Sequence, residues 1–419
     1  MAIFLKKALA DIEDQYIVTW LGEKLLVLDD FGVNIEEIKR ILKSETYEAR
    51  YRLLVLNPDE TVRYEIPQED IILNSGGYSE NYQSGQRRSL TISLVNTEGK
   101  YTPQKDNLWV NTKFRFDVGI EYAGEEYYVP RGIYIMQNPQ SIRGDSDKEI
   151  ELSLADKFAL FEGKLGTLEG TYEIPAGTEI EKAIKSILLL DDRTGTPLDM
   201  KPILYDAAFK GKTMPYTLSK DAGSNFGEIL LEIGTILNAE VFYNSTGNLV
   251  YMSINETMND LAKPIQWHYT TVDNDLVQVD GTYSFEDVIN EVHVVGDNVN
   301  NDLIWAYARN EDIASPISIP HIGRRIEYIN DSNIPSDEYA KLRAFYELRR
   351  NSFLKTTFTL TVPYNFTLMV NNLITLTDDF YGFEQDKFLI QSIEYNIGDD
   401  NQMTLTVSNT ANYNMGGIV

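Results

Sequence analysis

The chain has 419 residues, 43% of them hydrophobic, no cysteine, three histidines and a formal charge of −27. That length accommodates two to four domains with ordinary cores, and the absence of thiols excludes disulfides, cysteine nucleophiles and cysteine-ligated metals. The charge argues against a free nucleic-acid binder, which needs a basic face to neutralise phosphates; it leaves open plain solubility and a surface that must face nucleic acid without holding it.

No apolar run approaches the roughly eighteen residues of a membrane span. The opening MAIFLKKALADIEDQY is interrupted by Lys6, Lys7 and Asp11, too soon for a secretory signal, so a mature chain made in a cytoplasm is expected. Residues 1–45 read as an N-terminal extension. Tyr16–Trp20 and Glu23–Leu28 suggest short strands about Gly22. Ile35, Ile38, Ile41 and Leu42 recur at helical spacing behind Asn34, an N-cap candidate with Glu37 three residues on. A segment that buries so little on its own is expected to pack on another subunit or partner.

Residues 46–165 carry strand signals. Tyr51, Leu53 and Val55, then Val62, Tyr64 and Ile66, alternate about the turn cluster Asn57–Glu60. Ser89–Leu94, Lys113–Ile120, Gly132–Gln137 and Ile150–Leu154 continue the pattern, and Ala155–Phe161 reads as the start of a short helix sealing the end of a barrel. Residues 166–262 differ and read as a small α/β domain. Thr178 with Glu181 predicts a capping box for a helix over Glu179–Leu189. Gly223-Ser224-Asn225 precedes a helix over Phe226–Leu237 of clear 3.6-residue period. Glu240–Tyr243 and Leu249–Met252 then flank a hairpin loop containing Gly247. Residues 263–412 return to strands: Asn290–Val295, Leu303–Ala308, Phe353–Val362 and the closing block, with a helix from Ser336 to about Arg350 between them. Residues 413–419 form a tail.

The closing block resembles an earlier one. Pro363 stands seven residues before Val370-Asn371, as Pro103 stands before Val110-Asn111. In each block a strand, a Gly-containing turn with acids, a second strand, an acidic loop and an alternating final strand follow. Such a long interval is no solenoid period. It points to two copies of one domain of about a hundred residues each; the competing reading is that meanders of short strands resemble one another.

The chemistry-bearing residues are sparse. His268, His293 and His321 are isolated, without HExxH or HxH spacing. Asp191-Asp192, Asp378-Asp379, Asp399-Asp400, Asp145/Asp147 and Asp273/Asp275 are oxygen-rich, but none fits a twelve-residue calcium loop, and acid pairs in turns are expected of so acidic a chain. No GxSxG elbow or nucleotide fingerprint occurs. Trp20, Trp109, Trp267 and Trp305 are scattered and suit cores or interfaces. Arg87-Arg88 and Arg324-Arg325 are the main basic spots away from the helix near 341–350; each reads as a salt bridge or as a docking point for an acidic partner. No catalytic, cofactor-binding or metal-ligating residue is assigned, and neither an enzyme nor a cofactor is expected.

The chain resembles the baseplate hub proteins of contractile-tailed phages and phage-like particles, in the form found with Gram-positive hosts. RRSLTISLVNTEGKYTP, WVNTKFRFDVGIEY, GIYIMQNPQSI and ELSLADKFALFEG carry the resemblance, with NFGEILLEIGTILNAEVFYNSTGNLVYM, VINEVHVVGDN, ISIPHIGRR, VPYNFTLMVNNLITLTD and FLIQSIEYNIGDDNQMTLTV, over roughly residues 46–412. The resemblance implies a mainly β chain with α+β parts, in which two tube-like β-barrel domains flank a small α/β domain. It implies a structural subunit of the virion tail baseplate, assembled in the host cytoplasm. Three copies would form a pseudo-sixfold ring joining a sixfold tail tube or tube initiator to a threefold spike, with wedge proteins as further neighbours. An acidic channel would let DNA pass without sticking. The alternatives are a tail-tip adhesion protein binding cell-wall carbohydrate and a wall-degrading glycosidase using paired carboxylates.

Overall fold

The computed structural model describes residues 40–43, 47–104, 107–122, 124–144, 148–190, 196–206, 209–253, 264–271, 275–299, 302–332, 334, 336–351, 355–398 and 401–409. The chain is mainly β, as expected. Its first half comprises β1 (Glu48–Leu56), β2 (Val62–Ile66), β3 (Ile71–Asn81), β4 (Arg88–Val95), β5 (Lys113–Tyr122), β6 (Glu125–Met136), β7 (Gln140–Arg143) and β8 (Lys148–Asp156). Period-2 alternation explains them: Leu53 and Val55 of β1 and Leu90, Ile92 and Leu94 of β4 all face one core. The opposite side of β1 is also covered, because Leu54 and Leu56 pack with Ile133. β8 runs on to Asp156, and only Lys157–Leu160 form a 3-10 turn, so Ala155 belongs to the strand rather than to a helix.

The middle unit has β9 (Tyr172–Ile174), α1 (Ile180–Leu188), β10 (Leu204–Tyr205), β11 (Leu218–Lys220), α2 (Phe226–Leu237), β12 (Ala239–Tyr243) and β13 (Leu249–Ser253), with its own core. α2 begins where expected, and the Asn225 side chain accepts the Glu228 N–H. α1 is not capped by Thr178: its N-cap is Glu179, without a side-chain cap bond. The Ile180 N–H instead donates to the Lys212 carbonyl across a β-bridge.

β14 (Ile265–Thr270) and β15 (Gln278–Ser284) follow, then β16 (Glu291–Val299), β17 (Asp302–Arg309), α3 (Ile319–Ile322), β18 (Ile326–Asn330) and α4 (Asp337–Asn351). The last strands are β19 (Lys355–Pro363), β20 (Leu373–Asp378), β21 (Phe383–Asn396) and β22 (Gln402–Asn409). The 16–18 strands leave the second half altogether. They form a separate sheet, β17-β16-β18, with α4 packed on one face over Val292, Val294, Ile304 and Ala308. This insert stands between β15 and β19.

The remaining strands make one sheet of fourteen, in the order β15-β19-β22-β21-β3-β4-β8-β6-β5-β1-β2, with β14 on β20, β20 on β21 and β7 on β8. The halves join where Ser392–Asn396 of β21 pairs antiparallel with Gly77–Asn81 of β3. Tyr78 stacks on Tyr395 at 4.7 Å across that seam, and one core serves both halves. Arg131, wholly buried, reaches from β6 to the Phe366 carbonyl of the other half. Ile41 and Leu42, at the end of the N-terminal extension, also enter this core. That end of the extension therefore docks on its own chain, and Arg40–Leu42 are helical, as the spacing of Ile41 and Leu42 predicts; the strands read about Gly22 and the start of that helix lie outside the described residues.

The duplication is visible in hydrogen bonds. β3-β4-β8-β6-β5 has the same order as β15-β19-β22-β21-β20. Asn111 and Asn371, matched by the spacing from Pro103 and Pro363, both adopt left-handed backbone, φ 64° and 66°. Thr112 Oγ1 accepts the Trp109 N–H at 2.8 Å, and Asn372 Oδ1 accepts the Met369 N–H at 2.9 Å. Met136 N–H donates to Thr112 and Ile390 N–H to Asn372, both at 3.0 Å. The copies part at the sixth strand: β1 lies antiparallel on β5, β14 parallel on β20.

Candidate assembly surfaces

The two basic pairs have different fates. Arg87 and Arg88 are buried. Arg87 meets Glu240 at 3.4 Å and lies over the Phe242 ring; Arg88 pairs with Glu80 and donates to the Tyr243 carbonyl at 2.6 Å. Both backbone N–H groups donate to Asp156, whose carboxyl burial pushes up in pKa despite those donors. This pair is an internal weld between the first half and the middle unit, so it is no docking point.

A second weld involves Glu60 at the tip of the β1–β2 turn. Its carboxylate meets Lys157 at 2.6 Å, Lys113 at 3.1 Å and Lys201 at 3.1 Å, and Lys157 also meets Asp199 at 2.7 Å. Burial alone would raise the Glu60 pKa; Lys157, Lys201 and Lys113 together bring it down to about 2. Sequence reading missed this cluster, because its members are scattered and each is an unremarkable charge in the chain.

The second basic pair sits on the insert. The face of β17-β16-β18 turned away from α4 is open, and its rows follow from the register. Arg309, Glu291 and Ile326 are level, as are Tyr307, His293 and Tyr328. Glu291 is fully buried in this face and accepts from Arg324 through Nε at 2.6 Å and Nη2 at 2.7 Å, from Arg309 at 3.0 Å, and contacts His293 Nε2 at 2.7 Å. The bond from Arg324 chiefly, opposed by burial and aided by His293 and Arg309, holds its pKa at about 2. Two guanidiniums thus share one carboxylate. Arg325 turns away, donating to the Phe285 carbonyl.

Above that charge cluster the rings stack. His293 lies 4.8 Å from Tyr328 and 5.7 Å from Tyr307, and Trp305 donates Nε1–H to His293 at 3.3 Å. Leu303 (58% exposed), Trp305 (44%), Ile326 (41%) and Tyr328 (62%) remain open to solvent. Contiguous apolar exposure rimmed by charge marks an interaction surface.

The other candidates are structural. His268 shares a hydrogen bond with Thr375, and His321 contacts the Ile313 carbonyl. Trp267 is buried and Trp109 half exposed. Asp378 accepts the Tyr381 N–H within its turn, and Asp275 accepts from Thr270. Asp145, Asp147, Asp191, Asp192, Asp273, Asp399, Asp400 and Trp20 lie outside the described residues. Among the described residues no cluster of three metal-ligating side chains occurs.

No protein-family model and no curated protein matches the chain. Solved structures do. The 43 kDa tail protein of prophage MuSo2 from Shewanella oneidensis is similar at TM-score 0.54 and 14% identity, over 86% of this chain and 98% of that one. This chain has a phage tail-protein fold. Prophage tail protein gp18 from Listeria monocytogenes shares it at TM-score 0.53 and 10% identity, over 86% and 95% of the two chains. So does a chain of the Francisella PdpA–VgrG complex, at TM-score 0.53 and 11% identity, of which the match covers 58% against 93% of this chain.

Proposed function

We propose that the chain is a structural, non-catalytic baseplate hub subunit of a tail tip, three copies of which close a pseudo-sixfold ring. The ring joins a sixfold tube to a threefold spike, and an acidic channel through it passes DNA without holding it. The observation that carries this reading is the repeated five-strand order within one chain: two equivalent modules per subunit make six around a threefold axis. The fold shared with phage tail proteins supports a tail-tip place.

Pseudo-symmetry also specifies the contact between copies. Inside the chain, the end of β21 pairs with β3, Glu394 opposite Ser79. By the ladders onto β22 and β8, Glu394 corresponds to Gln140 of β7; by those onto β19 and β4, Ser79 corresponds to Thr282 of β15. Among the described residues, β7 and the outer edge of β15 carry no second ladder, and Ile142, Tyr283 and Phe285 are exposed along them. In the ring, β15 of one copy lies on β7 of the next, repeating the internal seam by strand addition. The chain lacks cysteine, so Thr282→Cys and Gln140→Cys introduced into separate chains give an unambiguous readout. Oxidation of the mixture should yield inter-chain disulfides, and electron microscopy should show threefold rings with six similar lobes. Monomers by both measurements, with or without the spike, would sink the reading.

A further inference from the structure

We propose that the seam between the two halves binds a buried monovalent anion, of the size and charge of chloride, through the Arg131 guanidinium and the hydroxyls of Tyr364 and Tyr395. The site lies within one chain and does not depend on the ring.

A bulge puts Arg131 there. Phe116 pairs with Gly132 and Asp117 with Pro130, so Arg131 is the extra residue on β6. Such a residue escapes the alternation of the strand, and its side chain is re-aimed. The second module bulges at the equivalent place. Lys113 opposite Ile135 matches Leu373 opposite Leu389; three pairs on, Leu376 meets Asp386 and Thr377 meets Glu384, which leaves Gln385 over. Gln385 is exposed. Arg131 is 2% exposed, and its Nη2 crosses the seam to the Phe366 carbonyl. The repeat thus supplies the bulge in both modules, and the first one turns its residue into the core.

The charge there is not met. Nε and Nη1 of Arg131 have no hydrogen-bond partner, and among the described residues no carboxylate forms an ion pair with it. Glu80 acts on it through space, but the Glu80 oxygens already take Arg88 and, at 3.0 Å, the Tyr78 hydroxyl. Other hydroxyls of this core have partners: Tyr51 donates to the Gly398 carbonyl at 3.1 Å and Tyr134 to the Arg131 carbonyl at 3.0 Å. Those of Tyr364 and Tyr395 are buried without one. The two rings meet edge to face at 5.3 Å, and both lie in the field of the guanidinium. Burial pushes both phenols well above their ordinary pKa, so both stay protonated and can donate.

Three side chains, from β6, β21 and the residue after β19, therefore bring unmet donors and an unmet positive charge to one seam. Buried donors without acceptors are costly, and a buried cation without a counter-charge is costlier. Water would satisfy the donors and leave the charge; an anion satisfies both. A spherical ion asks for no acceptor geometry, which suits donors from three separate segments. The near-complete burial of all three side chains disfavours a larger phosphate or carboxylate.

Bromide is the probe in crystals and chloride in solution. Crystals grown in sodium bromide should show anomalous bromine density beside Arg131 and the two hydroxyls. The melting temperature should rise with chloride when gluconate keeps the ionic strength constant, equally at pH 6 and pH 9, because no donor titrates between them. Tyr364→Phe and Tyr395→Phe keep the rings. Each should raise the chloride concentration needed by about tenfold, the loss of one hydrogen bond to a charged partner, and together they should abolish the effect. Arg131→Met should abolish it as well; if that variant does not fold, the tyrosine variants decide. A melting temperature indifferent to chloride overturns the inference. So does a double Phe variant that keeps the chloride effect, or one that loses stability equally in both salts while wild type shows no difference between them. Water alone beside Arg131, with bromide only on the surface, overturns it, as does bromide at Arg131 with no effect in solution, which would be binding at crystal concentration only.

Discussion

Glu60→Gln isolates the weld between the β1–β2 turn and the middle unit. The substitution keeps the volume and removes the charge. Three ammonium groups, Lys113, Lys157 and Lys201, then face the one remaining carboxylate of Asp199. The Glu60 pKa falls from 4.5 to about 2 in the fold, which corresponds to about 3 kcal/mol of linkage. Breaking a buried pair from one side costs a similar amount, roughly 3–5 kcal/mol. The sign follows from a depressed carboxylate. Its contribution is complete above pH 4.5 and disappears as pH falls toward 2. Urea unfolding followed by circular dichroism, comparing the first transition of both proteins, reads the loss. The difference should hold from pH 8 to 5 and shrink below that. A difference under about 1 kcal/mol at pH 7, or one that does not change as pH falls toward 2, would refute the reasoning.

Further outcomes follow from the core and the repeat. Removing residues 1–44 takes away buried Ile41 and Leu42 and should cost about 3–6 kcal/mol, seen as a lower melting temperature. At the left-handed position of the first repeat, Asn111→Gly should be tolerated and Asn111→Val should cost about 1–2 kcal/mol by urea midpoint; equal stability of the two would remove the role given to that turn.

Much of the scaffold was legible in the chain because its causes are local. Alternation of side chains placed β1, β4, β5 and β8, and the 3.6-residue period placed α2 together with its Asn225 cap. The repeat was legible because the turn at Asn111 and Asn371 needs a residue tolerant of left-handed backbone, at the same distance from a proline each time. Where the causes lie far off in sequence, local reading failed. Thr178 has the form of a cap, yet the Ile180 N–H at the start of the helix is met by the Lys212 carbonyl, more than thirty residues on. Arg87-Arg88 and Arg324-Arg325 look alike as dipeptides. The first is buried by Glu240 and Tyr243, more than 150 residues away; of the second, Arg324 lies on an open face because its own sheet separates from the fourteen-stranded one, and Arg325 turns away. Sequence by itself marked the alternating strands, α2 and the repeated turn, since backbone preference and side-chain period act within a few residues; β3 and β18 carried no such mark. Tertiary structure decided which charges are welds and which are surface, since burial is conferred by whatever distant segment arrives to cover them.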